Sequence, residues 1–232
     1  MRSHRFHLNP AVITIAMLSI LSVMPVSDRE VTAMDMKDKE RIQLPMPRMV
    51  GKVSLEETLA RRRSVRQFRD RPLTQQQLSQ LLWAAQGISD QRQRLRTAPS
   101  AGALYPLEIY VVDRNGVFHY SPQNHTLTTI RKGDLRTALA GAALSQGCVA
   151  RAPLSIVITA VYERTTRKYG QRGMRYVHIE VGHAGQNILL QAVALGLDAV
   201  PVGAFVDEQV SSVLGLPETH RPLYIIPVGY KM

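Results

Sequence analysis

The stretch RYVHIEVGHAGQNILLQAVALGL, residues 175–197, is the longest periodic segment of the chain. Its apolar positions wrap much of a helical circumference, whereas a helix lying on a wet surface confines them to one stripe. Gly182, Ala184 and Gly185 add a patch of small residues. Such a helix is buried on several sides, in a core or at a subunit interface, and the periodicity leaves both open.

On its N-terminal side, LSIVITAVY (154–162) reads as a buried strand and DLRTALAGAALSQ (134–146) as a helix. LEIYVV (107–112) is a strand, and Asn115-Gly116 marks a hairpin turn into VFHY. Ser54 with Glu57 forms a capping-box pattern opening a short helix toward Arg63. Thr74 with Gln77 repeats it ahead of an apolar stripe at Leu78, Leu81, Leu82 and Ala85, with Gly87 as the stop. On the C-terminal side come AVPVGAF (199–205), a strand with a glycine bend, a helix capped by Asp207, and PLYIIPVGY (222–230), a closing strand. Helices and strands mix without strict βαβ alternation, which predicts an α+β domain over residues 54–232, its central mixed or antiparallel sheet flanked by helices.

The chain has 232 residues, 45% hydrophobic and 20% charged, the profile of one globular domain. Its net charge of +11 and pI near 10.2 suit nucleic acid, an anionic surface or a phosphorylated ligand. The arginine clusters at 61–71, 92–96 and 164–175 lack interleaved aromatics for base stacking, which argues against nucleic acid. Cys148 is the only cysteine, so no internal disulfide or thiolate metal site exists, and a packed thiol is the simplest reading. His178 and His183 lie five apart and point in different directions on a helix, so no metal pair is expected.

The N-terminus carries Arg2 and Arg5 ahead of AVITIAMLSILSVMPV, a run short for a spanning helix but suited to a signal peptide or anchor over residues 1–33. That predicts an exported, periplasmic or membrane-anchored protein whose membrane contact runs only through this segment. If translation begins at Met34 or Met36, the protein is cytoplasmic. Residues 34–53, charged and then proline-punctuated, read as an extended arm.

No P-loop, G-x-G-x-x-G or H-E-x-x-H motif is present. The chemistry instead gathers in three places. ARRRSVRQFRD (60–70) threads Val65 and Phe68 through five arginines; in an extended chain Ser64 and Arg66 face one way and Val65 the other. Forked guanidinium donors beside a hydroxyl suit a phosphate, with Arg62 or Arg63 reaching back from the helix end. A solubilising basic stripe is the alternative. PSAGALYPLEIYVV (99–112) opens on Pro99, Ser100, Ala101 and Gly102, small enough for backbone to approach a flat ligand. Val202, Gly203 and Ala204 could aim backbone N–H groups at a ligand atom.

In this order RRRSVRQF, LSQLLWAAQGI, PSAGALYPLEIYVV, YVHIEVGHAGQNILLQAVALGL, VPVGAF and IIPVGY resemble the FMN-dependent nitroreductase family, most closely its SagB/ThcOx-type dehydrogenase branch, over about residues 55–230. The resemblance implies a nitroreductase-like fold and a homodimer interlocked through the long helix. It further implies FMN held by Arg62, Arg63, Ser64 and Arg66, with Pro99, Ser100, Ala101 and Gly102 lying against the flavin across the interface. Val202, Gly203 and Ala204 would present a backbone N–H to flavin N5. Hydride exchange there needs no catalytic triad. Lys168-Tyr169 stands where peptide-modifying members use a Lys-Tyr pair as base; a surface loop is the other reading. Lys231 is the residue available where many members carry a further phosphate-binding cation.

The implied function is an oxidoreductase acting on a small-molecule or peptide-derived substrate. A NAD(P)H-dependent nitro or quinone reductase and a non-catalytic flavin-binding module are the alternatives. Export pulls against NAD(P)H as donor, since that cofactor is cytoplasmic.

Overall fold

The computed structural model describes residues 40–232; the signal-like segment and the alternative starts Met34 and Met36 lie outside them. Seven strands form one sheet: β1 (Arg41–Gln43), β4 (Leu107–Asp113), β5 (Gly116–Ser121), β6 (Thr126–Lys132), β7 (Leu154–Ala160), β8 (Asp198–Ala199) and β9 (Arg221–Gly229). Their order is β1-β6-β5-β4-β7-β9-β8 and every ladder is antiparallel. β2 (Ile88–Asp90) and β3 (Leu95–Arg96) make a separate ribbon.

β7 lies between β4 and β9, and all seven of its residues are buried, as suits a strand with a partner on each side and a layer on each face. The β4–β5 hairpin closes where Asp113 accepts from the N–H groups of Asn115 and Gly116, at 2.7 and 3.2 Å. A side chain at Gly116 would meet the Arg131 carbonyl oxygen at 2.1 Å, so only glycine lets β5 and β6 approach here.

One face of the sheet, with Ile109, Val111, Ile156 and Ile158, packs on α2 (Gln75–Gln86) and α6 (Arg172–Ala194). The other, with Tyr110, Val112, Val157 and Ile225, packs on α3 (Arg136–Ala142), α4 (Gly147–Arg151) and α7 (Asp207–Leu214). Phe68 and the single cysteine, Cys148, belong to this second core. α1 (Leu55–Arg61) opens on Ser54, whose Oγ accepts from Glu57 N–H, and α2 opens on the complete Thr74–Gln77 capping box and ends at Gly87.

Several expectations need correcting. The helix expected over 134–146 stops at Ala142, because Leu144 and Ser145 take left-handed φ of 55° and 57°, and α4 follows as a separate turn of helix. Asp207 is the first residue of α7 rather than its cap, which is Val206. A further helix, α5 (Glu163–Tyr169), occupies what reads as a loop; Gly170, at φ 56°, breaks it from α6, which begins at Arg172. The arm 34–53, where it is described, is not wholly peripheral. β1 pairs with β6, and Leu44 is buried in the first core.

Candidate active site

α1 ends at Arg61, and Arg62 is its C-cap, its N–H bonding the Thr58 carbonyl. Beyond it the chain runs extended against two partners. Ser64 bridges Ala199 in parallel, with Val65 N–H donating to the Ala199 carbonyl at 3.1 Å, and Phe68 bridges Lys231 antiparallel. The alternation is as read: Ser64 and Arg66 are exposed, Val65 packs on the second core and Phe68 is 3% exposed. Arg63 turns back to donate to the carbonyls of Ala60 and Arg62, at 2.9 and 2.8 Å, so it secures the helix end. Lys231 is exposed on the same strip of chain.

The Ser64–Ala199 bridge places the arginine segment alongside the strand that leads to Val202, Gly203 and Ala204. Val202 exchanges both backbone hydrogen bonds with Ile225, at 2.8 and 3.0 Å, which anchors the turn, while Gly203 and Ala204 are exposed. Gln146 donates to the Ala204 carbonyl at 2.9 Å. Beneath Gly203 stands Tyr224, 4.0 Å from where its Cβ would sit, and the same ring presses on Gly185 of α6. Exposed guanidinium and hydroxyl groups next to a small, open backbone turn suit a ligand with an anionic tail and a flat ring.

The second cluster forms around residues 99–105. Tyr105 N–H donates to Ser100 Oγ at 2.9 Å and Ala103 N–H to the Ser100 carbonyl at 3.1 Å, drawing the loop into one tight turn. Gly102, Ala103 and Tyr105 all take positive φ, at 62°, 53° and 46°. Strain of this kind in two non-glycine residues persists only where surrounding contacts enforce it. A Cβ at Gly102 would lie 2.8 Å from Tyr169 Oη and 3.0 Å from Lys168 Nζ. The loop and the Lys-Tyr pair, more than sixty residues apart in sequence, therefore meet at one point. Tyr176 of α6 packs edge-on against Tyr169, with ring centroids 5.1 Å apart.

Behind the loop lies a polar network that sequence reasoning missed. Glu180 of α6 is only 2% exposed and accepts from Gln86 Nε2 at 3.4 Å; Gln86 accepts from Arg96 Nη1 at 2.8 Å. Arg96 also stacks 4.5 Å over the Tyr105 ring. Burial pushes the Glu180 carboxyl up to about 7, against the hydrogen bonds of Ser100 and Gln86 and the charge of Arg96. A second missed group is Glu108, which meets His119 Nε2 at 2.6 Å and Arg164 at 2.5 Å. Burial works to raise its carboxyl, but His119 and the Arg164 guanidinium outweigh it and hold it down at about 2. A chain signal for either group exists only in hindsight, since an isolated glutamate in a helix or strand usually marks a wet face.

The two clusters touch different flanks of α6. Ser100 approaches Glu180, whereas Gly203 is reached through Tyr224 and Gly185. Five residues along a helix turn through about 140° beyond one full turn, so the clusters are on separate sides of it. The arc between them left uncovered carries Arg175, Ile179, Gly182, His183 and Gln186, all exposed.

The nitroreductase family profile matches residues 59–230. A Methanocaldococcus jannaschii protein named as a nitroreductase is 47% identical over 203 residues, 85% of this chain and 100% of that protein. The microcin B17-processing protein McbC of Escherichia coli is 28% identical over 144 residues, 56% of this chain and 52% of McbC. A crystal structure from Ralstonia eutropha, also named as a nitroreductase, superposes with TM-score 0.75 at 31% identity, covering 83% of this chain and 90% of that one.

Proposed function

Because the chain belongs to the nitroreductase family, and is an oxidoreductase of the nitroreductase-like fold, we propose that it works as an FMN-dependent dehydrogenase of the SagB type on a small or peptide-derived substrate. The observation that carries this reading is the meeting of Lys168 and Tyr169 over Gly102. An amine and a phenol gathered on a tight, exposed loop would serve as a base and its partner, whereas hydride reduction of a nitro group or quinone takes up a proton and asks for no base.

The residues present fit FMN. Arg62, Ser64 and Arg66 would hold the phosphate, Arg63 would set the helix end from which they project, and Lys231 lies on the same strip. Val202, Gly203 and Ala204 would face the ring with backbone, Gly203 being the donor of choice. When bound, FMN supplies two-electron chemistry at its ring. The protein's own part is to bind that ring, to exclude water with the Pro99, Ser100, Ala101 and Gly102 loop, and to take a substrate proton at Lys168 Nζ with Tyr169 Oη orienting it. A homodimer completes the site in this reading: the two clusters diverge around α6, so a second copy must bring its loop to the first copy's arginines.

The test is spectroscopic. Purified protein offered FMN is expected to take up flavin, with bleaching by dithionite, and oxidation of a thiazoline-containing peptide is expected to stop in Lys168→Met and Tyr169→Phe. Arg66→Ala should weaken flavin uptake about tenfold, the worth of one charge-assisted hydrogen bond at ~1.5 kcal/mol. Unchanged affinity would remove the phosphate clamp from the proposal. A second reading, an NAD(P)H-dependent nitro or quinone reductase, is favoured by the full-length match to the Methanocaldococcus protein. Rapid bleaching of the flavin by NADPH would select it.

A further inference from the structure

Neither Lys168 nor Tyr169 is held by the sheet directly. They sit on the last turn of α5, a seven-residue helix, and isolated helices of that length are not stable on their own. The loop they meet is strained at Ala103 and Tyr105. Something must fasten one to the other.

The fastening runs through Arg164. It stands one turn before Lys168 on the same face of α5, four residues away. Its Nη2 pairs with Glu108 Oε1 at 2.5 Å, and its Nη1 donates to the carbonyl of Tyr105, the last strained residue of the loop, at 3.1 Å. Glu108 is fixed in turn. It is the second residue of β4, its carbonyl accepts from Thr159 Oγ1 at 3.3 Å, and its other carboxylate oxygen is taken by His119 of β5 at 2.6 Å. One planar guanidinium thus spans strand, loop and helix through two separate nitrogens, a fixed fork that a lysine ammonium lacks. The loop runs into β4 and α5 follows β7, and these strands pair from Leu107–Ala160 onward, so both segments leave the same end of the sheet.

We propose that Glu108 and Arg164 are a positioning pair, which locks the 99–105 loop to α5 and so keeps Lys168 and Tyr169 over Gly102. The inference rests on the reading of Lys168 and Tyr169 as the base pair of the reaction. The lock itself is tested without turnover, by hydrogen exchange.

Hydrogen exchange would be followed by mass spectrometry in the full chain with excess FMN, for wild type, Glu108→Gln, Arg164→Met and Arg164→Lys. Expected is at least about tenfold faster exchange at the amides of 103–105 and 166–170 in the first two variants, with the Val202 and Ile225 amides unchanged. Arg164→Lys, which keeps the charge but not the fork, should fall between. Exchange unchanged in both segments would overturn the proposal. So would a uniform acceleration across the sheet, because that marks general destabilisation. With the thiazoline peptide, kcat should fall about tenfold in Glu108→Gln and Arg164→Met while KM moves less than about twofold. Loss of kcat in Lys168→Met but not in Arg164→Met would overturn the positioning role alone. Full turnover in Lys168→Met would instead remove the base-pair reading and leave the exchange result to judge the lock.

Discussion

Glu180 shows how one buried group ties pH to this fold. Its carboxyl titrates near 7 in the folded chain against an ordinary value of 4.5, chiefly because burial penalises the anion. The folded state therefore prefers the neutral acid. The associated stability is complete below about 4.5 and is lost as pH rises through about 7. Glu180→Gln keeps an acceptor for Gln86 and carries no charge. In urea titrations it should match wild type near pH 5 and exceed it near pH 8.5 by an amount on the order of 2 kcal/mol. A gap that stays constant across that range would show that Glu180 binds its proton alike in the folded and unfolded chain, so that burial does not raise its carboxyl. Because Ser100 stands beside the same carboxyl, its ionisation is also felt by the loop beside Lys168.

Among the elements, the extended run 62–70 is set in place by Phe68 together with its backbone hydrogen bonds to Ala199 and Tyr230. Phe68 belongs to the second core and lies against Gly229, where a Cβ would come 3.1 Å from its ring. The arginines on either side project only because this ring and Val65 are held. Phe68→Ala should cost roughly 3 kcal/mol in denaturant unfolding, as for other buried phenylalanines. It should also weaken FMN uptake, although no atom of Phe68 is expected to touch the ligand. Preserved flavin affinity in a destabilised variant would separate the two roles. The Ser54 cap, the Thr74–Gln77 capping box, the Asn115-Gly116 hairpin and the long helix were legible from sequence, because each is written within a few neighbouring residues; Glu57 turns to Arg61, which leaves the Ser54 box half formed. β1 and β6 were not. Five of the seven residues of TLTTIRK are polar, and β1 lies in a proline-punctuated arm, so only the β5–β6 and β1–β6 ladders reveal them as strands.

For the molecule as a whole, the open face of α6 is the decisive surface. Gly182 stands in its middle, and a Cβ there would meet nothing within 4 Å in a single copy. Gly182→Trp should therefore leave the monomer folded. If two copies pack along this helix, as the proposed function requires, the variant should elute as a monomer in size-exclusion chromatography and lose flavin uptake. A dimer that still binds FMN would place the interface elsewhere. Among the described residues no helix is long and apolar enough to cross a membrane.

What could be read from residue order was local or repeated: the α+β class, the helix caps at Ser54 and Thr74, the alternation of Ser64, Val65 and Arg66, and the order of motifs that resembles a family. Where those motifs go is another matter. That Gly102 meets Tyr169, that Arg164 reaches Tyr105 and Glu108, and that Glu180 is buried beside Gln86 and Arg96 are consequences of how the sheet and α6 pack. A side chain's charge state and reach depend on burial and on partners many tens of residues away. No short window of sequence contains those partners, so only packing could bring them together.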